Sequence, residues 1–369
     1  MKILILINND LGLYNLRKEL IVKLIEEKFE IYISLPNGKK IEELKKLGCK
    51  YIETDIDRRG INPINDLKLV LKYKKICKQI KPDLVLTYTI KPNIYGGLIC
   101  RIKHIPYIAN ITGLGSSVEK NNLLSKLIIK MYKMALKKAE CVFCQNNKIY
   151  NFLKKNKFNN NLETIPGSGV NTKFFSLKEY PNNNTQTFMF IGRMMKEKGI
   201  REYIEAAKVI RKKYHNVKFK ILGFFEEDYK EEIENLQKEG IVEYCGETLD
   251  VRKFLEEANC VILPSYHEGT SNVLLESAST GRPIIASNIP GCKEAIDDEE
   301  SGYVFEVKNT EDLIQKIEKF LKLSYNQKKE MGLKGRKKME KEFDRNIIVN
   351  AYLQQINKIM GGKENGKRN

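Results

Sequence analysis

Two doubly wound α/β domains are the architecture that this 369-residue sequence predicts. Three observations carry the expectation. Strand-like apolar runs alternate with helical patterns from the first residue. The alternation stops at a polar link and then restarts. The length fits two cores of about 150 to 190 residues better than one. An apolar content of 42% supports globular folding of both.

In order, the sequence predicts strands near 2–7, 30–35, 50–54, 83–87, 106–110, 140–144 and 162–165, with helices between most of them. The run Pro166-Gly167-Ser168-Gly169-Val170 leads into a polar link that ends in Pro181-Asn182-Asn183-Asn184. Alternation resumes with strands near 187–192, 217–223, 242–245, 260–263, 283–286 and 303–305. Helices are expected near 309–321, 325–340 and 346–360. The resulting division is a first domain over 1–175, a second over 176–345, a helix over 346–360 that crosses back to the first, and a disordered tail over 361–369.

No apolar run reaches the ~20 residues of a membrane span. The opening Met1–Ile7 is followed by Asn8-Asn9-Asp10 without a cleavage pattern, so a cytoplasmic location is expected. Eight cysteines scattered through apolar patterns predict reduced packing residues. Cys141 and Cys144 form a lone CxxC in a strand, where alternation puts them on opposite faces, against metal or redox use. The net charge of +18 is unevenly placed: residues 1–180 hold 33 Lys and Arg against 16 Asp and Glu, and the remainder 32 against 31. Such a surplus implies an anionic partner for the first half, either phospholipid headgroups or nucleic acid.

Two clusters carry chemistry. In Glu268-Gly269-Thr270-Ser271-Asn272-Val273-Leu274-Leu275-Glu276, a strand runs into a loop in which Thr270 or Ser271 can cap a helix starting near Asn272. Free N–H groups there suit a diphosphate. Glu276 lies one turn inside, in reach of a ribose diol, and Glu268 precedes the turn, near a donor sugar. Upstream, Phe188-Met189-Phe190-Ile191-Gly192-Arg193-Met194-Met195-Lys196-Glu197-Lys198-Gly199 reads as a buried strand, a glycine turn and two cations. Arg193 offers a planar fork for phosphate and Lys198 a point charge.

Strand-Gly-Arg-x4-Lys-Gly followed by strand-Glu-Gly-x6-Glu resembles the retaining glycosyltransferases of family 4, with weaker similarity of spacing over nearly the whole chain. The resemblance implies the GT-B fold, two Rossmann-like domains facing across a cleft, the first binding acceptor and the second a nucleotide sugar. It implies a metal-independent hexosyltransferase, without a cofactor, moving a hexose or N-acetylhexosamine, N-acetylgalactosamine favoured, from a UDP-sugar. The acceptor would be an undecaprenyl-diphosphate-linked saccharide in surface polysaccharide or glycoprotein glycan assembly, at the inner face of the plasma membrane. Arg193, Lys198 and Glu268 would be catalytic. Gly192, Gly269, Thr270, Ser271, Asn272, Val273 and Glu276 would hold the nucleotide, and closure across the link near 171–186 would complete the site. The segments Lys91-Pro92-Asn93-Ile94-Tyr95-Gly96 and Thr112-Gly113-Leu114-Gly115 look like those of bacterial enzymes that extend lipid-linked sugars.

The first loop, Asn8-Asn9-Asp10-Leu11-Gly12, departs from the family's Gly-Gly, and its first-domain histidine has no assigned equivalent, His104 reading as a surface residue. Gly113 and Gly115 form either a sugar-binding edge or a plain tight turn. His267 faces either the donor or only its own loop. Arg58 and Arg59 are candidates for an acceptor diphosphate. The helix over 121–138, with Lys126, Lys130, Lys133 and Lys137 on one stripe, either rests on an anionic membrane or simply covers its own sheet. Asp55-Ile56-Asp57 matches the metal-binding DxD by chance. Rival readings are a UDP-sugar epimerase of similar fold, a non-catalytic sugar-nucleotide binder, and a basic nucleic-acid-binding protein, for which no recognition motif is present.

Overall fold

The computed structural model describes residues 1–58, 60, 62–113 and 123–366. Its contacts divide the chain into two units, 1–168 with 346–369, and 169–345. Unit 1 runs β1 (Lys2–Leu6), α1 (Asp10–Glu26), β2 (Glu30–Leu35), α2 (Ile41–Lys46), β3 (Lys50–Glu53), α3 (Pro63–Ile80) and β4 (Leu84–Tyr88). A π-turn (Pro92–Gly96) leads to α4 (Gly97–Ile102), β5 (Tyr107–Ile111), α5 (Leu123–Leu136), β6 (Cys141–Cys144), α6 (Asn147–Lys155) and β7 (Leu162–Thr164). Unit 2 comprises β8 (Gln186–Ile191), α7 (Ile200–Lys213), β9 (Val217–Leu222), α8 (Lys230–Lys238), β10 (Glu243–Tyr244), α9 (Arg252–Glu257), β11 (Cys260–Leu263) and α10 (Asn272–Ser279). It closes with β12 (Ile284–Ser287), β13 (Gly302–Phe305), α11 (Thr310–Leu321) and α12 (Tyr325–Glu342), after which α13 (Arg345–Gly366) returns to unit 1.

All the described ladders are parallel. The sheets have orders β3-β2-β1-β4-β5-β6-β7 and β10-β9-β8-β11-β12-β13. Each reverses direction once, between β1 and β4 and between β8 and β11, which is the doubly wound pattern the alternation predicts. Sequence-local chemistry starts the helices. Asn9 accepts from Gly12 N to cap α1, and Asn62 caps α3 with Pro63 at its first position. Ser324 and Gln327 form a capping box on α12.

Both faces of each sheet are buried, so the strands read as apolar runs. In β6, Cys141 and Phe143 enter one core with α1 and α13, whereas Val142 and Cys144 enter the opposite core with α3 and α4. The two thiols therefore lie on opposite faces, as alternation requires.

The boundary between units falls at 168/169, not at 175/176, and the polar link is not a free tether. Val170 N donates to Phe343 O at 2.8 Å, and Arg345 N to Val170 O at 2.9 Å. Arg336 Nη1 donates to the carbonyls of Thr172 and Phe175, at 3.0 and 2.8 Å. The fully buried Arg282 donates to Glu179 O at 2.7 Å, and Tyr180 donates to Asn259 O at 3.0 Å. Side chains more than a hundred residues away thus stitch the link to unit 2. At the C-terminus, helix continues to Gly366, so most of the expected tail is helical; 367–369 lie outside the described residues.

Tyr352 anchors α13. Its ring centroid lies 4.6 Å from that of Phe143, and its hydroxyl accepts from Asn110 Nδ2 at 3.0 Å. Tyr352→Ala should cost about 3–5 kcal/mol, read from urea denaturation. A loss below about 1 kcal/mol would contradict the packing described for α13.

Candidate active site

The switch point of unit 2 decides where its functional side chains meet. Because β8 and β11 are parallel neighbours, with Phe188 opposite Cys260 and Met189 opposite Val261, the loops that leave them emerge side by side. Ligands of open parallel sheets bind at such an edge. The two clusters separated by about seventy residues in sequence are the two loops at this point.

Their backbones interlock. Gly199, at φ +71°, sits so close to β11's exit that a Cβ on it would lie 2.0 Å from Pro264 O. Tyr266 N donates to Glu197 O at 2.9 Å. On the other flank, Gly291, at φ +91°, would place a Cβ 2.7 Å from the carbonyl oxygens of both Glu268 and Gly269, and its own carbonyl accepts from Ser271 N at 2.8 Å. Only glycine fits either position.

On this frame Lys198 Nζ reaches Glu268 Oε1 at 2.5 Å, both side chains being largely buried. Ser265 Oγ, completely buried, donates to the same oxygen at 2.9 Å. Two residues expected to act separately, one on phosphate and one on sugar, are therefore joined in one ion pair. Arg193, directly after Gly192, keeps 41% of its side-chain exposure, and its Nη1 lies 3.6 Å from Glu226 Oε2. Neither Glu226 nor Ser265 was legible in the sequence. Glu226 comes from the loop after β9, which runs beside the Arg193 loop through a Met194–Phe225 bridge.

The cap is at Ser271, whose hydroxyl accepts from Leu274 N and whose carbonyl accepts from Leu275 N at 3.2 Å. The N–H groups of Asn272 and Val273 are those an α-helix cannot use internally. Val273 rests its side chain on the core of unit 2 and contributes to a site only by its backbone. Asn272 Oδ1 is buried without a hydrogen-bond partner among the described residues, an arrangement that costs free energy. Thr270 Oγ1 donates to Gly269 O at 3.0 Å.

Glu276, one turn into α10, is the most perturbed acid of the site. Burial raises its carboxyl to about 7, against a weaker opposing pull from the Arg345 guanidinium. The residue is half-buried by accessibility, and no hydrogen bond to this carboxyl is found among the described residues, so it is available to hydroxyl donors.

Within unit 2 the structure joins Lys198 to Glu268; Gly269, Thr270, Ser271, Asn272, Val273 and Glu276 follow on the same loop and α10, and Gly192 and Arg193 leave the neighbouring strand β8. His267 is on the same loop but exposed. Gly113 and the exposed Arg58 belong to unit 1, while Arg59 and Gly115 lie outside the described residues. Asp57 Oδ1 accepts from Gly60 N at 2.7 Å and so shapes a turn. The Lys91–Gly96 segment is a packing device: Asn93 accepts from Thr87 at 2.7 Å and donates to Asn110 O at 2.9 Å. Lys91 and Tyr95 both bind Asp66, at 2.6 and 2.8 Å.

Residues 172–338 match the family model of Glycosyl transferases group 1, and residues 2–146 that of Glycosyl transferase 4-like. The chain is 27% identical to a Campylobacter jejuni N,N'-diacetylbacillosaminyl-diphospho-undecaprenol alpha-1,3-N-acetylgalactosaminyltransferase, over 95% of this chain and 96% of the relative. It is 28% identical to an Escherichia coli UDP-Gal:alpha-D-GlcNAc-diphosphoundecaprenol alpha-1,3-galactosyltransferase, over 70% and 71%. In fold it is similar to Anabaena HepE in complex with UDP-glucose, with a TM-score of 0.78 at 16% identity, over 97% and 100% of the two chains.

The Glu276 carboxyl gives a signed expectation. Its folded pKa of about 7 exceeds the ordinary 4.5, so its favourable contribution is complete below about pH 4.5 and lost as pH rises through about 7. Glu276→Gln should therefore raise the melting temperature relative to the parent at pH 8 and not at pH 4.5. Equal differences at both would show that the carboxyl is not buried.

Proposed function

Since the chain belongs to the GT-B glycosyltransferases of family 4, we propose that it moves an N-acetylhexosamine or hexose from a UDP-sugar to an undecaprenyl-diphosphate-linked saccharide, with retention. N-acetylgalactosamine is the favoured sugar, and surface polysaccharide or glycoprotein glycan assembly the setting. The observation that carries the reading is the Lys198–Glu268 pair at 2.5 Å, which joins the two motifs at one strand edge. Likeness to the Campylobacter and Escherichia transferases supports the acceptor class.

In this reading the bond from the anomeric carbon to the β-phosphate oxygen breaks, and the acceptor hydroxyl oxygen bonds to that carbon on the same face. Its proton passes to the departing phosphate oxygen, which leaves as UDP. Negative charge grows on the diphosphate, and three groups stabilise it: the Arg193 fork, the Lys198 ammonium and the N–H groups of Asn272 and Val273 at the positive end of α10. Lys198 donates to Glu268 through one hydrogen and has others for phosphate. Glu268, steadied by Lys198 and Ser265, orients the sugar, and Glu276 accepts from the ribose diol. In unit 1, Gly113, Gly115, Arg58 and Arg59 are the candidates for acceptor contact. The enzyme would work as a peripheral protein at the cytoplasmic membrane face; no described helix is long and apolar enough to cross a membrane.

An epimerase would need a histidine in its site. All three histidines, His104, His215 and His267, are exposed on the surface, which favours transfer.

Turnover tests this directly: the protein is incubated with a panel of UDP-sugars, with and without polyprenyl-diphosphate-linked saccharides, and UDP release is followed. Release should require both substrates and be fastest with UDP-N-acetylgalactosamine. Arg193→Ala should lower kcat by roughly a hundredfold or more. Glu276→Ala should act mainly by raising KM for the donor, about tenfold or more. Parent-like rates in both variants would overturn the site assignment.

A further inference from the structure

Unit 1 carries a surface that the donor chemistry does not use. Helix α3 buries Leu69, Tyr73, Ile76, Cys77 and Ile80 against its sheet. Its opposite side is not the polar one that a surface helix ordinarily shows. Ile64, Leu67 and Leu71, 63, 59 and 55% exposed, follow one another at i, i+3 and i+7 and so form a line along the outward face. Lys68, Lys72, Lys74, Lys75 and Lys78 are exposed on the same arc. None of the exposed α3 positions is Asp or Glu; the helix's only carboxylate, Asp66, is half-buried and held by Lys91.

The pattern extends beyond one helix. Helix α4 packs against both α3 and α5 and ends in Ile102, which is 70% exposed. On α5, Leu127 and Met134 are exposed among Lys126, Lys130 and Lys133, in a segment without a carboxylate. One exposed leucine needs no explanation. Adjoining helices that expose aliphatic side chains among cations alone do. Because α3 leads into β4 and runs antiparallel to it, the Ile64–Leu71 half lies toward the strand edge where ligands of such sheets bind.

We infer that this face docks the protein onto an anionic lipid bilayer, with Ile64, Leu67 and Leu71 entering the headgroup boundary and the α3 lysines meeting the lipid phosphates. Charge complementarity selects the occupant, and the aliphatic line selects a bilayer over nucleic acid, which lysines alone would serve. The purpose of the contact, bringing a lipid-linked acceptor to the sheet edge, rests on the proposed function; the contact itself does not.

Co-sedimentation of the full chain with phosphatidylcholine vesicles, with and without phosphatidylglycerol, tests the inference. Two double variants are compared, Leu67→Ser with Leu71→Ser, and Lys68→Ser with Lys72→Ser, all at exposed positions and checked by melting temperature. The parent should bind only the anionic vesicles, more weakly as salt rises, and each variant should bind roughly tenfold more weakly or worse. UDP release with a short-chain, water-soluble acceptor should be unchanged in both variants. Parent-like vesicle binding by the leucine variant would overturn the inference. So would a parent that prefers a random duplex oligonucleotide to the vesicles and loses that preference only in the lysine variant. Vesicle binding without UDP release from any lipid-linked acceptor would sink the proposed function and leave the docking face standing; release without vesicle binding would do the reverse.

Discussion

Everything in the candidate site depends on the close approach of two backbones, that of Gly199 to the carbonyl of Pro264. Parallel pairing of β8 with β11 brings the two loops to one edge, but only within the spacing of neighbouring strands. The missing side chain removes the remaining distance and lets a lysine from one loop reach a glutamate on the other. A hydrogen bond from Tyr266 N to Glu197 O then fixes the register of the contact. With Gly291 closing the far side, the Glu268–Ser271 loop is held by backbone on both flanks, which is the rigidity that preorganised electrostatics requires.

The electrostatics of that loop divide into satisfied and unsatisfied parts. Glu268 accepts hydrogen bonds from both Lys198 and Ser265, and Lys198 is committed to it. Among the described residues, the half-buried Glu276 carboxyl and the buried Oδ1 of Asn272 have no hydrogen-bond partner. Natural interiors rarely tolerate such groups unless a ligand completes them. In the proposed function the division would match two tasks: a rigid polar centre beside the reacting bond, and a receptive one for a sugar's hydroxyls.

Most of the fold was legible because parallel strands buried on both faces must be apolar throughout, and punctuation by Gly, Pro and Asn separated them. Cys260–Leu263 and Phe188–Ile191 stood out for that reason, and a cap at Thr270 or Ser271 was legible because its chemistry is local, the structure placing it at Ser271. The domain boundary was misread because the polar link looks solvated, and the arginines that bind it, Arg282 and Arg336, lie far downstream. Glu226 and Ser265 were invisible for the same reason: each matters only through a partner that topology supplies. The roles of Lys198 and Glu268 were separable on paper and are not separable in space. The outward face of α3 is a different kind of omission, since its aliphatic line looks in sequence like an ordinary core stripe until the structure shows which side is covered.

The unpartnered acid on α10 also makes the empty protein a proton reservoir. A carboxyl that titrates near neutrality is partly protonated in ordinary buffer, and any guest that offers it two hydroxyl donors favours the ionised form. Occupation of the site is then coupled to release of a fraction of a proton, so the heat measured in calorimetry would vary with the ionisation enthalpy of the buffer. Affinity for the guest would climb as the medium is made more alkaline across that range.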